Sequence, residues 1–258
     1  MNKLFSTIAT IITLCIICIG CEHSALKEVH HIEDLKHIRI GVPKGTSHEQ
    51  YMNKHAEAHL KHFNDTMEAV RALIAGQVEG VVTNVAVAHA VVKHNPILYV
   101  STLEMDQDPV AVAVRKGNLE LKNTVNKIIT ELEENGVLED MKARWLTSDS
   151  VYSPVSIELP SEGNPLRIAV SATREPFCFR DVSGNICGFD IELACRIAQK
   201  MNCPLKFVDM KFPSLIAALK SGKADAIISL LNVTPERMCV VDFSVPYFNS
   251  DRVLLLKK

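Results

Sequence analysis

"RALIAGQVEGVV", residues 71–82, and "AALKSGKADAII", residues 217–228, share one pattern. Each reads as the end of an apolar-periodic helix, then a glycine, two residues, an acid, a small residue and two β-branched residues. Gly76 and Gly222 stand where a helix ends in the left-handed conformation, which glycine enters without a Cβ clash. Val81–Val82 and Ile227–Ile228 then read as short buried strands. A second pair lies upstream: "IRIGVPKGTSHE" from Ile38 and "LRIAVSATREPF" from Leu166, each an apolar strand followed by a polar turn. A third lies downstream: "DPVAVAVRKG" (108–117) and "DRVLLLKK" (251–258), each a hydrophobic strand running into basic residues. Strands alternating with helices predict parallel sheets with right-handed crossovers. Two copies predict two similar α/β lobes.

After the first of these last strands, helices are predicted over 119–134 and 137–145, divided by Asn135-Gly136. Nothing in this sequence follows the second, so Val253–Leu256 must find its backbone partners elsewhere. Residues 147–165 carry three prolines and many small polar residues and read as a linker, with "VSIEL" (155–159) as a candidate short strand.

The chain has 258 residues, 47% hydrophobic, enough for one large or two small domains with real cores. A net charge of −2 gives no electrostatic basis for binding nucleic acid. Residues 1–21 read as an export signal: Lys3, an apolar run from Leu4 to Ile19, then "CIGC". The apolar run is short for a membrane span. Eight cysteines are present, three of them (Cys15, Cys18, Cys21) in this segment. The other five, Cys178, Cys187, Cys195, Cys203 and Cys239, cannot all pair within the chain. Cys178 and Cys187 flank the turn-like "RDVSGN" and are read as buried thiols, with a cross-strand disulfide as the alternative. All ten histidines fall between residues 23 and 94. His48, His55, His59 and His62 are read as a polar solvated face, not a metal site, because "AHLKHF" has strand character after a short helix.

"GFDIELACRIAQKM" (188–201) is a strand end followed by a helix with Leu193, Ile197, Ala198 and Met201 on one apolar face. With "PLRIAVSATREPFCFRDVSGNICGFD" before it and "VTPERMCVVDFSVPYF" after it, this stretch resembles the family 3 bacterial solute-binding proteins, the periplasmic amino-acid-binding type. The segment that ordinarily comes next in that family resembles "HIEDLKHIRIGVPKGTSHEQY", from His31, at the other end of this chain. "GQVEGVVTN", "PVAVAVRKG" and "ELEENGVLEDMKARWL" continue the likeness. The family's segments are thus present in exchanged order, read as a circular permutation, with a fragment of a tandem array as the alternative. The export segment, with no upstream half before it, favours the permutation.

The resemblance implies a two-lobed type II periplasmic-binding fold, each lobe a mixed, mostly parallel sheet flanked by helices. Lobe 2 is expected over 25–105 plus 252–258 and lobe 1 over 111–250. The old termini would be joined by the linker 147–165, with hinges near 106–110 and 247–251. The "CIGC" stretch resembles a lipobox, which implies lipidation at Cys21 and an exported, membrane-tethered protein of the periplasm or cell envelope. A small amino acid or organic anion is the implied ligand and an ABC permease the implied partner, with no cofactor. A sensing module and a dehydratase relative are the alternatives. No nucleophile elbow, phosphate-binding glycine loop or HExxH motif is present.

Residue by residue, Arg237 matches the arginine that holds the ligand carboxylate, a task suited to a planar guanidinium. Phe212 matches an aromatic wall, with a core phenylalanine as the equal alternative. Thr46 and Ser47 match the lobe 2 turn at a helix start. Leu230 is placed with them. Four positions depart from the amino-acid-binding pattern. Asn84 and Ser171 stand where acids are usual, Asn232 where a small hydroxyl residue is usual, and Arg174 where an aromatic is usual. These changes remove negative charge from the expected cleft and add positive charge, which points to a ligand more anionic than a neutral amino acid.

Overall fold

The computed structural model describes residues 29–147, 152 and 154–258. Residues 1–28, which include the expected export signal with Cys21, and residues 148–151 and 153 of the expected linker lie outside the described residues.

Strands and helices alternate as the repeat requires. The first half contains β1 (Arg39–Pro43), α1 (Ser47–His55), β2 (His59–Phe63), α2 (Thr66–Ile74), β3 (Gly80–Asn84), α3 (Val85–His94) and β4 (Leu98–Val100). Then come β5 (Gln107–Arg115), α4 (Leu119–Glu134) and α5 (Val137–Leu146). The second half contains β6 (Leu166–Val170), β7 (Phe179–Arg180), β8 (Ile186–Cys187), α6 (Phe189–Lys200), β9 (Leu205–Asp209), α7 (Leu215–Lys220), β10 (Ala226–Ile227), α8 (Pro235–Met238) and β11 (Val241–Lys257).

β1 pairs in parallel with β2 and β3, and β6 pairs in parallel with β9 and β10. Gly76 and Gly222 take φ of 72° and 75°, the left-handed ends that the repeat demanded. The acid of the repeat has a definite task. The Arg39 backbone N–H and guanidinium both donate to Glu79, and Glu79 N–H donates back to Arg39 O at 2.8 Å. In the other lobe Arg167 holds Asp225 in the same way, and Asp225 N–H donates to Arg167 O at 2.8 Å. Each arginine also donates to the carbonyl of the helix-ending glycine, Gly76 or Gly222. The same clamp therefore ties strand, helix end and next strand together twice.

β11 serves both sheets. Its first part pairs antiparallel with β5, from Val241 opposite Arg115 to Asp251 opposite Gln107. Its last part pairs antiparallel with β3, from Arg252 opposite Asn84 to Leu256 opposite Gly80, and with β4. Val253–Leu256 thus finds its neighbours in the first half of the chain. Leu254 and Leu256 pack with Ile40, Val42, Met52 and Val82 on one face. Val253 and Leu255 pack with Val81, Val87, Val91 and Leu98 on the other. A strand covered on both faces has no solvent side, so the run is continuously apolar rather than alternating. Gly80 is required there: a Cβ on it would lie 2.8 Å from Leu254 Cδ1.

One sequence expectation changes. Residues 155–159 form no strand, since the prolines at 154, 160 and 165 bracket the segment and remove backbone donors. The preferred reading of Cys178 and Cys187 as thiols holds: in the hairpin of β7 and β8 the residue opposite Cys187 is Phe179, and all five described cysteines are free. β2 begins at His59, so His59 and His62 lie on a strand apart from His55 at the end of α1.

Leu254 is fully buried at the junction of the two sheets. Leu254→Ala is expected to lower the unfolding free energy by about 2–5 kcal/mol through lost burial plus the cavity left behind, read as a lower urea midpoint at unchanged slope.

Candidate ligand-binding cleft

Turns and helix starts from both lobes converge where β5 and β11 cross between them. From the first half come Gly45, Thr46, Ser47 and His48, at the start of α1. From the second half come Ser171 and Arg174 after β6, Phe212 in a 3₁₀ turn, Leu230 and Asn232 between β10 and α8, and Arg237 on α8. Arg252 enters from β11.

Arg237 is 5% exposed and spans the two lobes. Its Nη1 donates to Asn232 O at 2.6 Å and its Nη2 to Gly45 O at 2.8 Å. The Arg174 guanidinium carbon lies 3.8 Å from the centre of the Phe212 ring, and that of Arg237 5.6 Å from the same centre. Phe212 is thus a platform for two cations. Among the described residues neither arginine has a carboxylate partner within 4.0 Å. Burial lowers both guanidinium pKa values to about 10, against the pull of Asp190 on Arg174 and of Asp108 on Arg237.

Leu230 adopts φ of 45°, a left-handed turn unusual for a leucine. That turn aims its N–H at Asp190 Oδ2, 2.6 Å away, and its carbonyl toward Arg174 Nη1 at 3.5 Å. Asp190, the acid of "GFDIEL", is fully buried and also accepts from the Tyr247 hydroxyl at 2.8 Å. Burial pushes its carboxyl up to about 7, against the opposing effects of Tyr247, Leu230 N–H and Arg174.

Two of the expected ligand residues have their side chains occupied. Thr46 Oγ1 donates to Pro43 O at 2.7 Å and accepts from Glu49 N–H at 3.3 Å, so it caps α1 and is not free for a ligand. Asn84 Oδ1 accepts from Ala86 and Val87 N–H, capping α3, while its Nδ2 donates to Ser250 Oγ at 2.6 Å. An asparagine there ties α3 to the β11 crossing. Ser171 is buried, and its N–H donates to Ser229 Oγ at 2.9 Å.

Other polar atoms are left open. Ser47 Oγ, His48 Nδ1, Arg174 Nη2, Asn232 Nδ2 and Arg252 Nε are buried without a hydrogen-bond partner. All five belong to this cleft. Buried polar groups are ordinarily satisfied, so five orphans in one place mark a site built around something that accepts hydrogen bonds. His48 and Arg252 were not singled out as ligand residues in the sequence. Arg252 stacks on Tyr51 at 4.1 Å and is ion-paired with Asp108 on β5. A charge inside an otherwise apolar strand was its available signal. His48 was masked by its grouping with the other histidines.

Two openings reach the cleft. One, of about 250 Å³, is lined by Asn64, Asp65 and Glu68 from one lobe and Ser171, Asp209 and Phe212 from the other. The second, of about 500 Å³, is lined by Ser47, Tyr51, Asp108, Thr234 and Arg252 among others.

Residues 166–258 match the model of the bacterial extracellular solute-binding proteins, family 3. The match covers the second half of the chain, from β6 to the end of β11. The two α/β sheets joined through β5 and β11 are consistent with the two-lobed type II periplasmic-binding fold that the sequence led one to expect. The chain is 32% identical over 118 residues to the L-arginine-binding protein of Pseudomonas aeruginosa, covering 46% of each chain. It is 41% identical over 93 residues to the arginine-binding extracellular protein ArtP of Bacillus subtilis, covering 36% of each. It is also similar to the solved arginine-bound form of domain 1 from TmArgBP, with 42% identity, a TM-score of 0.33, and coverage of 36% of this chain and 79% of that one. The chain thus spans less than half the length of these curated relatives. Among the described residues no helix is long and apolar enough to cross a membrane.

For Asp190 the folded-state value of about 7 lies above the usual 3.8. The folded protein therefore holds this proton more tightly than the unfolded chain, and stability falls as pH rises between about 4 and 7. Urea unfolding across pH 4–8 is expected to show this slope in the native sequence and a shallower one in Asp190→Asn.

Proposed function

We propose that this is an exported solute-binding protein that captures a small carboxylate-bearing anion between its two lobes for ABC-type uptake. The observation that carries this reading is the set of five buried, unpartnered polar atoms around two guanidiniums that lack carboxylate partners. An unsatisfied buried donor costs about 1–3 kcal/mol, so the closed arrangement favours an occupant rich in acceptors. A carboxylate meets Arg174 and Arg237 with charge-assisted, planar geometry.

The relatives named above are arginine-binding proteins. A ligand with a buried ammonium needs an opposing carboxylate. Here Asn84 and Ser171 carry no charge, Asn84 is consumed by helix capping, and Arg174 adds a cation over Phe212. These residues support an anion in place of a cationic amino acid. Arg237, Arg174, Ser47 and Asn232 are the proposed ligand groups, Phe212 their platform, and Leu230 and Ser171 the backbone that positions them.

The lobes are taken as residues 25–105 plus 252–258 and residues 111–250, in permuted order, with hinges near 106–110 and 247–251. The passage of β5 and β11 between the sheets supports that division. Tethering through a lipid on Cys21 belongs to the same proposal.

Calorimetry with succinate, L-glutamate, neutral amino acids, lysine and arginine tests it. An organic anion is expected to bind, and Arg237→Ala to weaken it roughly 30-fold or more. Tight binding of lysine or arginine would overturn the anion reading.

A further inference from the structure

His48 is the second residue of α1, 6% exposed, with Nδ1 lacking a hydrogen-bond partner. Its surroundings are cationic. The charges that act on it are Arg252 on β11, Arg174 in the turn after β6 and Arg237 on α8. The nearby acids are otherwise engaged. Asp108 on β5 is ion-paired with Arg252. Glu49, beside His48 on α1, turns to His62 Nδ1 at 2.7 Å and to Gly45 N–H at 2.6 Å. Tyr51 on the same helix is covered by the Arg252 guanidinium.

We propose that His48 is a ligand-binding residue that becomes charged only in the complex. An anion seated between the lobes draws one proton from solvent onto the imidazole, and departure of the anion returns it. This rests on the anion-binding cleft proposed above. In the empty closed cleft, burial and the three guanidiniums hold the imidazole neutral, well below its ordinary value. A neutral ring can turn a lone pair toward the anion, which repels it. The anion's own charge offsets the guanidinium repulsion, and an imidazolium then donates a charge-assisted hydrogen bond from Nδ1. His48 would thereby make affinity depend on pH where a cleft of arginines alone would not.

The sign follows from linkage. Binding takes up protons, so affinity falls as pH rises between the His48 pKa of the empty protein and that of the complex. The limit is about tenfold per pH unit for one coupled proton. Asp190, which faces Arg174, is a second group that titrates near neutrality and would act in the same direction. His48→Gln separates the two, since glutamine keeps a hydrogen-bond donor but cannot titrate while Asp190 is untouched.

The experiment is calorimetry of the full chain with sulfate, succinate and L-glutamate from pH 5.5 to 8, in buffers of differing ionisation enthalpy. The native sequence is expected to take up more protons per bound anion than His48→Gln, and the pH slope of its affinity to be steeper. Equal uptake by both proteins overturns this inference and leaves the anion-binding reading standing. Absence of binding by all three anions overturns both. If His48→Gln does not fold, imidazole nitrogen shifts of the native protein decide: a change to the imidazolium form on saturation with succinate supports the inference, and a neutral ring at saturation overturns it.

Discussion

The backbone ladder of β11 is the constraint on which the rest depends. One strand of 17 residues gives its first part to one sheet and its last part to the other. β5 runs beside it through the crossing. Both lobes are therefore fixed to the same pair of strands, and the turns that carry Ser47, Arg174 and Arg237 are held on opposite sides of that pair. The crossing is also where Arg252 meets Asp108 and where Asn84 reaches Ser250. The cleft is assembled on the joint itself.

The chemistry of the cleft is a contest between desolvation and attraction. Three guanidiniums and an imidazole share a volume from which water is largely removed. Phe212 reconciles two of them by presenting its π-face, a modest gain of about 0.5–2 kcal/mol per cation. Arg237 is partly satisfied by two carbonyls, one from each lobe, so it already bridges them. Those bonds hold the lobes together but leave Arg174 and Arg237 without a carboxylate partner among the described residues. An anion changes that balance more than any neutral solute can, and a ligand that interacts differently with the open and closed forms is what shifts their populations.

Much of this was legible in the sequence because it is local. The glycine after each helix, the acid three residues later and the β-branched pair fixed the strand–helix–strand unit twice, and the structure adds the arginine that explains the acid. The helices expected at 119–134 and 137–145 followed from period and the Asn-Gly break, and the second runs one residue further, to Leu146. What escaped was set by long-range register and by competition for side chains. That Cys187 faces Phe179 depends on a hairpin register that flanking residues do not specify. That Thr46 and Asn84 spend their side chains on helix starts could not be told from ligand duty, because the same polar atoms suit both. Asp190 looked like part of a family signature, and only burial showed it to be a buried acid braced by Tyr247 and Leu230 N–H.

The shared strand also imposes an order on synthesis. β3 is buried on both faces, and β4 has no sheet neighbour but β11 among the described residues. Until residues 252–257 have been made, the sheet of β1, β2 and β3 carries an open, apolar strand edge, although its other strands are already available. Such edges recruit other chains. During synthesis this half of the molecule is therefore the one most in need of shielding.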